Sequence, residues 1–166
     1  MADFQTILSV ISPVCKHAEL QTDESASPKA ILIHANDLIE VCNTLLTHEA
    51  LYFDMLSCIT AIDNGPEANS MELVYNLYAI PYEHHLMLKV KIERANPEIP
   101  SVSDIWKTAD WHEREAFDLF GIKFKNHPDL RRILLPADWE GYPLRKDYKV
   151  QEYYAGIKVE TETKLE

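Results

Sequence analysis

Three stretches of alternating apolar and polar residues, in the middle of the 166-residue chain, constrain its fold most strongly. They run from 56 to 63, from 71 to 79 and from 85 to 94. Alternation is typical of a half-buried strand, and it is clearest in the third stretch, whose apolar face comprises Leu86, Leu88, Val90 and Ile92. Short turn-rich links, Asn64-Gly65-Pro66 and Pro81-Tyr82, favour an antiparallel meander.

Patterns before the meander supply helices that would cover one face of this sheet. Residues 1–20 have an amphipathic helical period, 21–29 are typical of a loop, and 30–33 form a short apolar strand. Asn36 is placed to cap a second helix that ends near His48. Helices packed on one face of a small antiparallel sheet make an α+β fold, which we predict here.

A third helix is predicted between Asp110 and Gly121. Asp110 and Glu113 have the spacing of a capping box, and a glycine such as Gly121 commonly ends a helix in the left-handed conformation. Arg114 and Asp118 lie four residues apart, so they can form an ion pair on one face of the helix.

Prolines break the segment that follows, from 122 to 148, too often for a helix or a central strand to pass through it. Such a long loop is uncommon in a compact domain unless it is functional or disordered, and its large apolar residues argue against disorder. We therefore predict a single domain in which residues 1–124 form the α+β body. Residues 125–166 form a long extended C-terminal docking segment.

Charge distinguishes this segment from the rest of the chain. The net charge of the chain is −11, whereas residues 125–149 hold six basic and four acidic side chains. An acidic chain with no broad basic face is a poor nucleic-acid binder. Arginines interleaved with aromatic residues are typical of protein interfaces, so the predicted anchors of a partner are Arg131, Arg132, Trp139, Arg145 and Lys146.

Cofactor sites are not indicated by any pattern in the chain. Its three cysteines are far apart, and closely spaced thiolates would be needed for iron–sulfur clusters or structural zinc. It has only four glycines and neither a GxGxxG motif nor a P-loop, so no phosphate cradle for a nucleotide cofactor is expected. Nor does it show an export signal or an apolar run of the roughly 20 residues that cross a bilayer.

Several acidic residues and histidines invite a catalytic interpretation. Glu113 and Glu115 point apart on a helix and cannot share one substrate atom. The sequence around His112 lacks the second histidine of HExxH. A free-standing metal-dependent enzyme using His112, Glu115 and His127 remains an alternative, which bound zinc or iron in the purified chain would support.

The same region carries a family resemblance. Glu113-Arg114-Glu115, Asp118-Leu119-Phe120, and the run HPDLRRILLPADWEGYPLRKDY resemble the signature of the thirty-kilodalton subunit of respiratory complex I, or NDH-1, which is the C subunit of the bacterial complex. The residues that match this signature, or the interface it implies, are Glu113, Arg114, Glu115, Asp118, His127, Arg131, Arg132, Trp139, Arg145, Lys146 and Asp147.

The resemblance implies a structural subunit of a proton-translocating NADH:quinone oxidoreductase. Such a subunit lies in the peripheral arm beside the forty-nine-kilodalton (D) subunit and near the iron–sulfur subunits (B and I). It holds no cofactor itself, because FMN, iron–sulfur clusters and quinone bind to its partners. It is peripheral to the cytoplasmic side of the inner membrane. The electron donor does not follow from one subunit, so a ferredoxin- or F420H2-driven relative, or a membrane-bound hydrogenase, is an alternative.

Overall fold

A five-stranded sheet forms the centre of the fold. The computed structural model describes residues 3–17 and 20–159. The strands of the sheet are β1 (Gln21–Asp23), β2 (Ala30–Ile33), β3 (Met55–Asp63), β4 (Ser70–Ala79) and β5 (His84–Glu93). Their order across the sheet is β1-β2-β5-β4-β3.

Strands β3, β4 and β5 form the predicted antiparallel meander. The structure adds two features to this sheet. Strand β2 pairs with β5 in parallel, so the sheet is mixed, and β1 forms an antiparallel edge beside β2, where the sequence indicated only a loop. Alternation reports which face is buried and not the direction of a neighbour, which is why the parallel pair escaped prediction.

Three helices lie among the described residues: α1 (Phe4–Ile11), α2 (Leu38–Thr47) and α3 (Ala109–Phe120). Asp3 caps α1 by accepting a hydrogen bond from the amide of Thr6 at 2.7 Å. Asn36 does not cap α2 as predicted, because a 3₁₀ turn, Ala35–Asp37, precedes that helix. Its C-terminal end at His48 agrees with the prediction.

The core lies between the helices and one face of the sheet. All four apolar residues predicted on one face of β5 are buried, and Lys91 and Glu93 on the opposite face are exposed. Leu38, Cys42 and Leu45 of α2 are fully buried in the same core. The α+β class predicted from the periodicity is therefore confirmed.

A second, two-stranded sheet is formed by one strand that precedes α3 in the chain and one strand that follows it. Strand β6 (Glu98–Pro100) pairs in parallel with β7 (Lys123–Lys125), so the chain leaves α3 beside the point at which it approached that helix. A hairpin of β8 (Tyr153–Tyr154) and β9 (Ile157–Lys158) follows near the end of the described residues. Within those residues, no helix has the length and apolar character needed to cross a membrane.

Candidate functional site

The candidate site is the C-terminal segment, defined here as residues 125–149, together with the exposed side of α3. Beyond Lys125, this segment contains neither helix nor strand, as its prolines predict. Four groups of internal contacts attach it to the body of the protein, and each group uses a side chain that the sequence had marked as functional.

Asp118 makes the first attachment, from the buried face of α3. Its Oδ2 accepts hydrogen bonds from three successive backbone amides, those of Ile133, Leu134 and Leu135, at 3.0, 2.7 and 2.9 Å. Its Oδ1 accepts from Arg132 at 2.7 Å. Burial raises the pKa of Asp118, but these donors outweigh burial and hold the pKa below its ordinary value. The carboxylate is therefore ionised and fully satisfied.

Arg132 extends this attachment along the segment. Its Nη2 donates to the carbonyls of Trp139 and Gly141, both at 3.0 Å, while its guanidinium lies over the ring of Tyr142. The spacing of Arg114 and Asp118 had suggested an ion pair, but the two side chains do not pair in the structure. Arg114 donates instead to the carbonyls of Arg131 and Arg132, at 3.3 and 3.4 Å. One exposed pair is worth a few tenths of a kcal/mol, so a carboxylate with four internal donors is the stronger arrangement.

Tyr142 and Arg145 make the second attachment, at the end of α3. Arg145 Nε donates to the carbonyl of Phe120 at 2.7 Å, which satisfies a free carbonyl in the last turn of the helix. The guanidinium of Arg145 also lies over the ring of Tyr142. That ring lies directly against Gly121, which ends the helix in the predicted left-handed conformation.

Replacing Gly121 by alanine is expected to destabilise the chain by about 1–3 kcal/mol. An added Cβ would lie 2.5 Å from the Tyr142 ring, and the φ of +75° is unfavourable for any side chain. Chemical denaturation measures the change. The control is Gly156→Ala, which has a similar φ but nothing within 4 Å of the new Cβ. A smaller loss of stability for Gly121→Ala than for Gly156→Ala would show that the Tyr142 ring moves aside at little cost.

Asp63, at the end of β3, makes the third attachment. It accepts two hydrogen bonds from Arg94, at 2.7 and 3.0 Å, and one from the backbone amide of Lys146 at 2.8 Å. The hydrogen bond from Arg94 is the main cause that holds the pKa of Asp63 far below its ordinary range. Arg94 also bonds Asp147 of the segment. These contacts join the segment to the end of strand β3.

His127 makes the fourth attachment, beside Glu113. Its Nε2 donates to the carbonyl of Asp110 at 3.1 Å, and its Nδ1 accepts from the amide of Asp129 at 3.0 Å. The predicted capping box is wrong, because Glu113 points away from the start of α3. Its carboxylate oxygens instead bind the Val102 amide at 2.7 Å and the Ser101 hydroxyl at 2.6 Å. Burial of Glu113 raises its pKa to about 7.

The outward side of the segment is different in character. Leu134 is 62% exposed, Leu144 is 51% exposed, and Trp111 on the neighbouring face of α3 is 64% exposed. The Arg131 side chain is 71% exposed and is paired with Asp129, which is itself half exposed. Arg114 lies over the Trp111 ring at 5.5 Å. We call Trp111, Arg131 and Leu134 the outer patch.

The predicted anchors therefore divide into two sets. Arg132 and Arg145 are engaged inside the chain, and Trp139 is half-buried against Tyr154. Arg131 and Lys146 present exposed side chains. Trp111 and Leu134 were absent from the predicted set, because that set contained only basic and aromatic residues of the C-terminal segment.

The residues of the enzyme alternative do not line a common site. His112 and the exposed Glu115 line a groove of about 310 Å³ between α3 and β3. The His127 side chain is fully buried in the fourth attachment and does not line that groove. In the part of the chain that the structure describes, no three histidine, cysteine or acidic side chains are grouped to hold a metal ion.

The structure is an α+β domain with a C-terminal segment held against it by internal contacts, and comparison with known proteins identifies its family. Residues 31–154 match the respiratory-chain NADH dehydrogenase 30 Kd subunit family, and the chain belongs to this family. It is 55% identical over 112 residues to the NADH-quinone oxidoreductase C subunit of Chloroherpeton thalassium. That alignment covers 67% of this chain but 46% of the relative, so the chain spans about half of that protein.

Two solved structures share the fold. A trypsin-resistant fragment of Nqo5 is 28% identical, with a TM-score of 0.53, and the match covers 61% of this chain and 82% of the fragment. A chain of the membrane-bound sulfane sulfur reductase, an archaeal respiratory membrane complex, is 25% identical with a TM-score of 0.70. That match covers 87% of this chain and 82% of the other.

Proposed function

We propose that this chain is a structural subunit of the peripheral arm of a proton-translocating NADH:quinone oxidoreductase. Its partners are the forty-nine-kilodalton (D) subunit and the neighbouring iron–sulfur subunits (B and I). It carries no catalytic residue or cofactor, and it helps to assemble the arm through which electrons pass from NADH to quinone. It reaches the cytoplasmic side of the inner membrane through those partners.

The observation that carries this proposal is the division of the C-terminal segment into two sides. On its inner side, Asp63 and Asp118 together accept from amides at four positions of the segment, namely Ile133, Leu134, Leu135 and Lys146. These bonds fix a long irregular loop in one conformation. Its outer side then presents Arg131 and Leu134 to solvent, beside the exposed Trp111 of α3. A preorganised surface with exposed tryptophan, arginine and leucine is typical of the centre of a protein interface.

The state of the cysteines supports placing the cofactors in partner subunits. Burial is the main cause that raises the pKa of Cys15 to about 11 and the pKa of Cys42 still higher. A metal or cluster ligand must be a thiolate, so both environments oppose ligation. The iron–sulfur clusters, which need thiolate ligands, would accordingly be held by partner subunits.

The electron donor of the complex has a second candidate. The fold is shared with a chain of an archaeal respiratory membrane complex that is a sulfane sulfur reductase, so this fold is compatible with more than one electron-transfer complex. A ferredoxin- or F420H2-driven relative, or a membrane-bound hydrogenase, would use the same outer patch for the corresponding partner. The relatives named as NADH-quinone oxidoreductase subunits favour NADH.

Affinity purification of the tagged chain from its native membranes tests this proposal. We expect the D, B and I subunits to co-purify, with flavin and iron–sulfur absorption in the complex. The same chain expressed alone should be colourless, because its scattered thiols and lack of a phosphate-binding loop provide no cofactor site. Stoichiometric flavin, iron or zinc in the isolated chain would refute the structural role, and recovery of the native chain without partner subunits would refute the assembly role.

A further inference from the structure

Glu113 and His127 form a buried titratable pair at the root of the C-terminal segment, and the proposed assembly role does not use it. Both side chains are inaccessible to solvent, and Glu113 Oε2 lies 3.8 Å from His127 Nε2. Asp110, on the first turn of α3, places Oδ1 at 3.5 Å from the same nitrogen. This Oδ1 has no hydrogen-bond partner within bonding distance.

The hydrogen bonds of His127 define its protonation state. Nδ1 accepts from the Asp129 amide, so it carries no proton, and Nε2 donates to the Asp110 carbonyl. The imidazole is therefore neutral. A second proton on Nδ1 would place two N–H groups face to face at 3.0 Å, so the ring cannot become charged without losing the Asp129 contact. That contact lies at the start of the segment.

The surroundings of Glu113 favour its protonated form. Burial opposes its charge, as do Asp110 and Asp104, while only the Ser101 hydroxyl and the Val102 amide favour it. A protonated carboxyl can donate to Ser101 Oγ and still accept from Val102, so both observed bonds persist. Ser103 hydrogen-bonds the same Ser101 hydroxyl.

The core beneath the pair adds no compensating charge. Cys42 of α2 and Tyr75 of β4 are fully buried, and burial together with the charge of Glu113 raises the pKa of both groups. They are therefore neutral where they face the carboxyl. Apart from His127, no basic side chain in the described ranges lies within ion-pair distance of Glu113.

We propose that Glu113 and His127 constitute a buried proton-binding site, and that loss of its proton loosens the root of the C-terminal segment. An ionised Glu113 attracts the Nε2–H group of His127 away from the Asp110 carbonyl. Proton release from Glu113 is thus coupled to the attachment of the segment at His127. This inference concerns the full chain by itself and does not depend on the identity of its partners.

Linkage gives the direction of the effect. Because the folded-state pKa of Glu113, about 7, exceeds its ordinary value, its stabilising contribution is complete at low pH. That contribution is lost as the pH rises through about 7. Segment opening that releases one proton becomes easier by up to about tenfold per pH unit between about pH 4.5 and 7, and the effect levels off above about 7, where Glu113 is ionised in both states.

Hydrogen exchange of the full-length chain between pH 5 and 8.5, corrected for intrinsic rates, tests the site. In the wild type, protection of the amides of Asp129, Ile133, Leu134 and Leu135 should fall as the pH rises from 5 to about 7 and should level off above about 7. Glu113→Gln, which keeps the shape and cannot ionise, should remove this dependence. Glu115→Gln, two residues away and exposed, should retain it. Identical pH profiles for the wild type and Glu113→Gln would overturn the proposal.

A measurement on the wild type alone guards against a Glu113→Gln variant that does not fold. Carbon-13 NMR of the glutamate side chains should show one carboxyl that titrates near pH 7, coupled to a change in the nitrogen-15 shifts of one histidine. The proposal is overturned if every glutamate carboxyl titrates within about a unit of the ordinary value near 4.3.

Discussion

Asp118→Ala destabilises the isolated chain by about 3–5 kcal/mol, which is the range expected when one partner of a buried ion pair is removed. The change leaves the Arg132 guanidinium, whose side chain is 16% exposed, without its carboxylate. It also removes the hydrogen-bond acceptor of three backbone amides. Chemical denaturation measures the loss. Hydrogen exchange should show that the amides of Ile133, Leu134 and Leu135 lose protection first.

Two further variants separate charge from shape at this site. Asp118→Asn keeps the size and one acceptor oxygen, so its cost should be smaller than that of alanine. It should also reduce the loss of unfolding free energy that occurs as the pH becomes acidic. The folded-state pKa of Asp118 is lowered, so its contribution is present above the ordinary value near 3.9 and is lost as the pH falls below it. Glu115→Ala, exposed on the same helix, should change stability by less than about 0.5 kcal/mol. A loss of under about 1 kcal/mol for Asp118→Ala would mean that the segment is held by other contacts.

Local periodicity explains the part of the fold that the sequence predicted. The alternation of β3, β4 and β5 depends only on which face is buried, and Gly121 is a local requirement for a positive φ. Strand β1 has three residues, too few to establish a period, and it is held by its pairing with β2. Its existence depends on tertiary structure and therefore could not be read from residues 21–23.

The polar contacts of the site show why its geometry was harder to predict. Spacing rules paired Asp110 with Glu113 and Arg114 with Asp118, since neighbours on a helix are the only partners visible in a sequence. In the structure, Glu113 binds residues 11 and 12 positions away, and Asp118 binds residues 14 to 17 positions away. Buried carboxylates require several donors, and the backbone amides of an irregular loop supply more donors than one side chain.

The outer patch is expected to control assembly without affecting folding. Arg131→Glu together with Leu134→Asp changes two largely exposed side chains, so the free energy of unfolding of the isolated chain should stay within about 0.5 kcal/mol of the wild type. Loss of buried interface contacts and reversal of an interface charge typically cost about 2–5 kcal/mol or more. Incorporation into the large complex should therefore fall by at least about tenfold.

A matched double variant elsewhere on the surface serves as the control. Lys91→Glu with Ile80→Asp makes the same kinds of change at an exposed lysine of β5 and an exposed isoleucine between β4 and β5. If the outer patch is a specific interface, this control should assemble as the wild type does. Equal loss in both variants would indicate a general effect of added negative charge.

The most direct measurement is native gel electrophoresis of membranes from cells in which each variant replaces the wild-type chain, with the thermal melt of each purified chain recorded in parallel. We expect the Arg131→Glu, Leu134→Asp chain to melt as the wild type does and to be missing from the large complex, whereas the Lys91→Glu, Ile80→Asp chain should be present in it. Normal incorporation of the outer-patch variant would contradict the assignment of this segment as the docking surface.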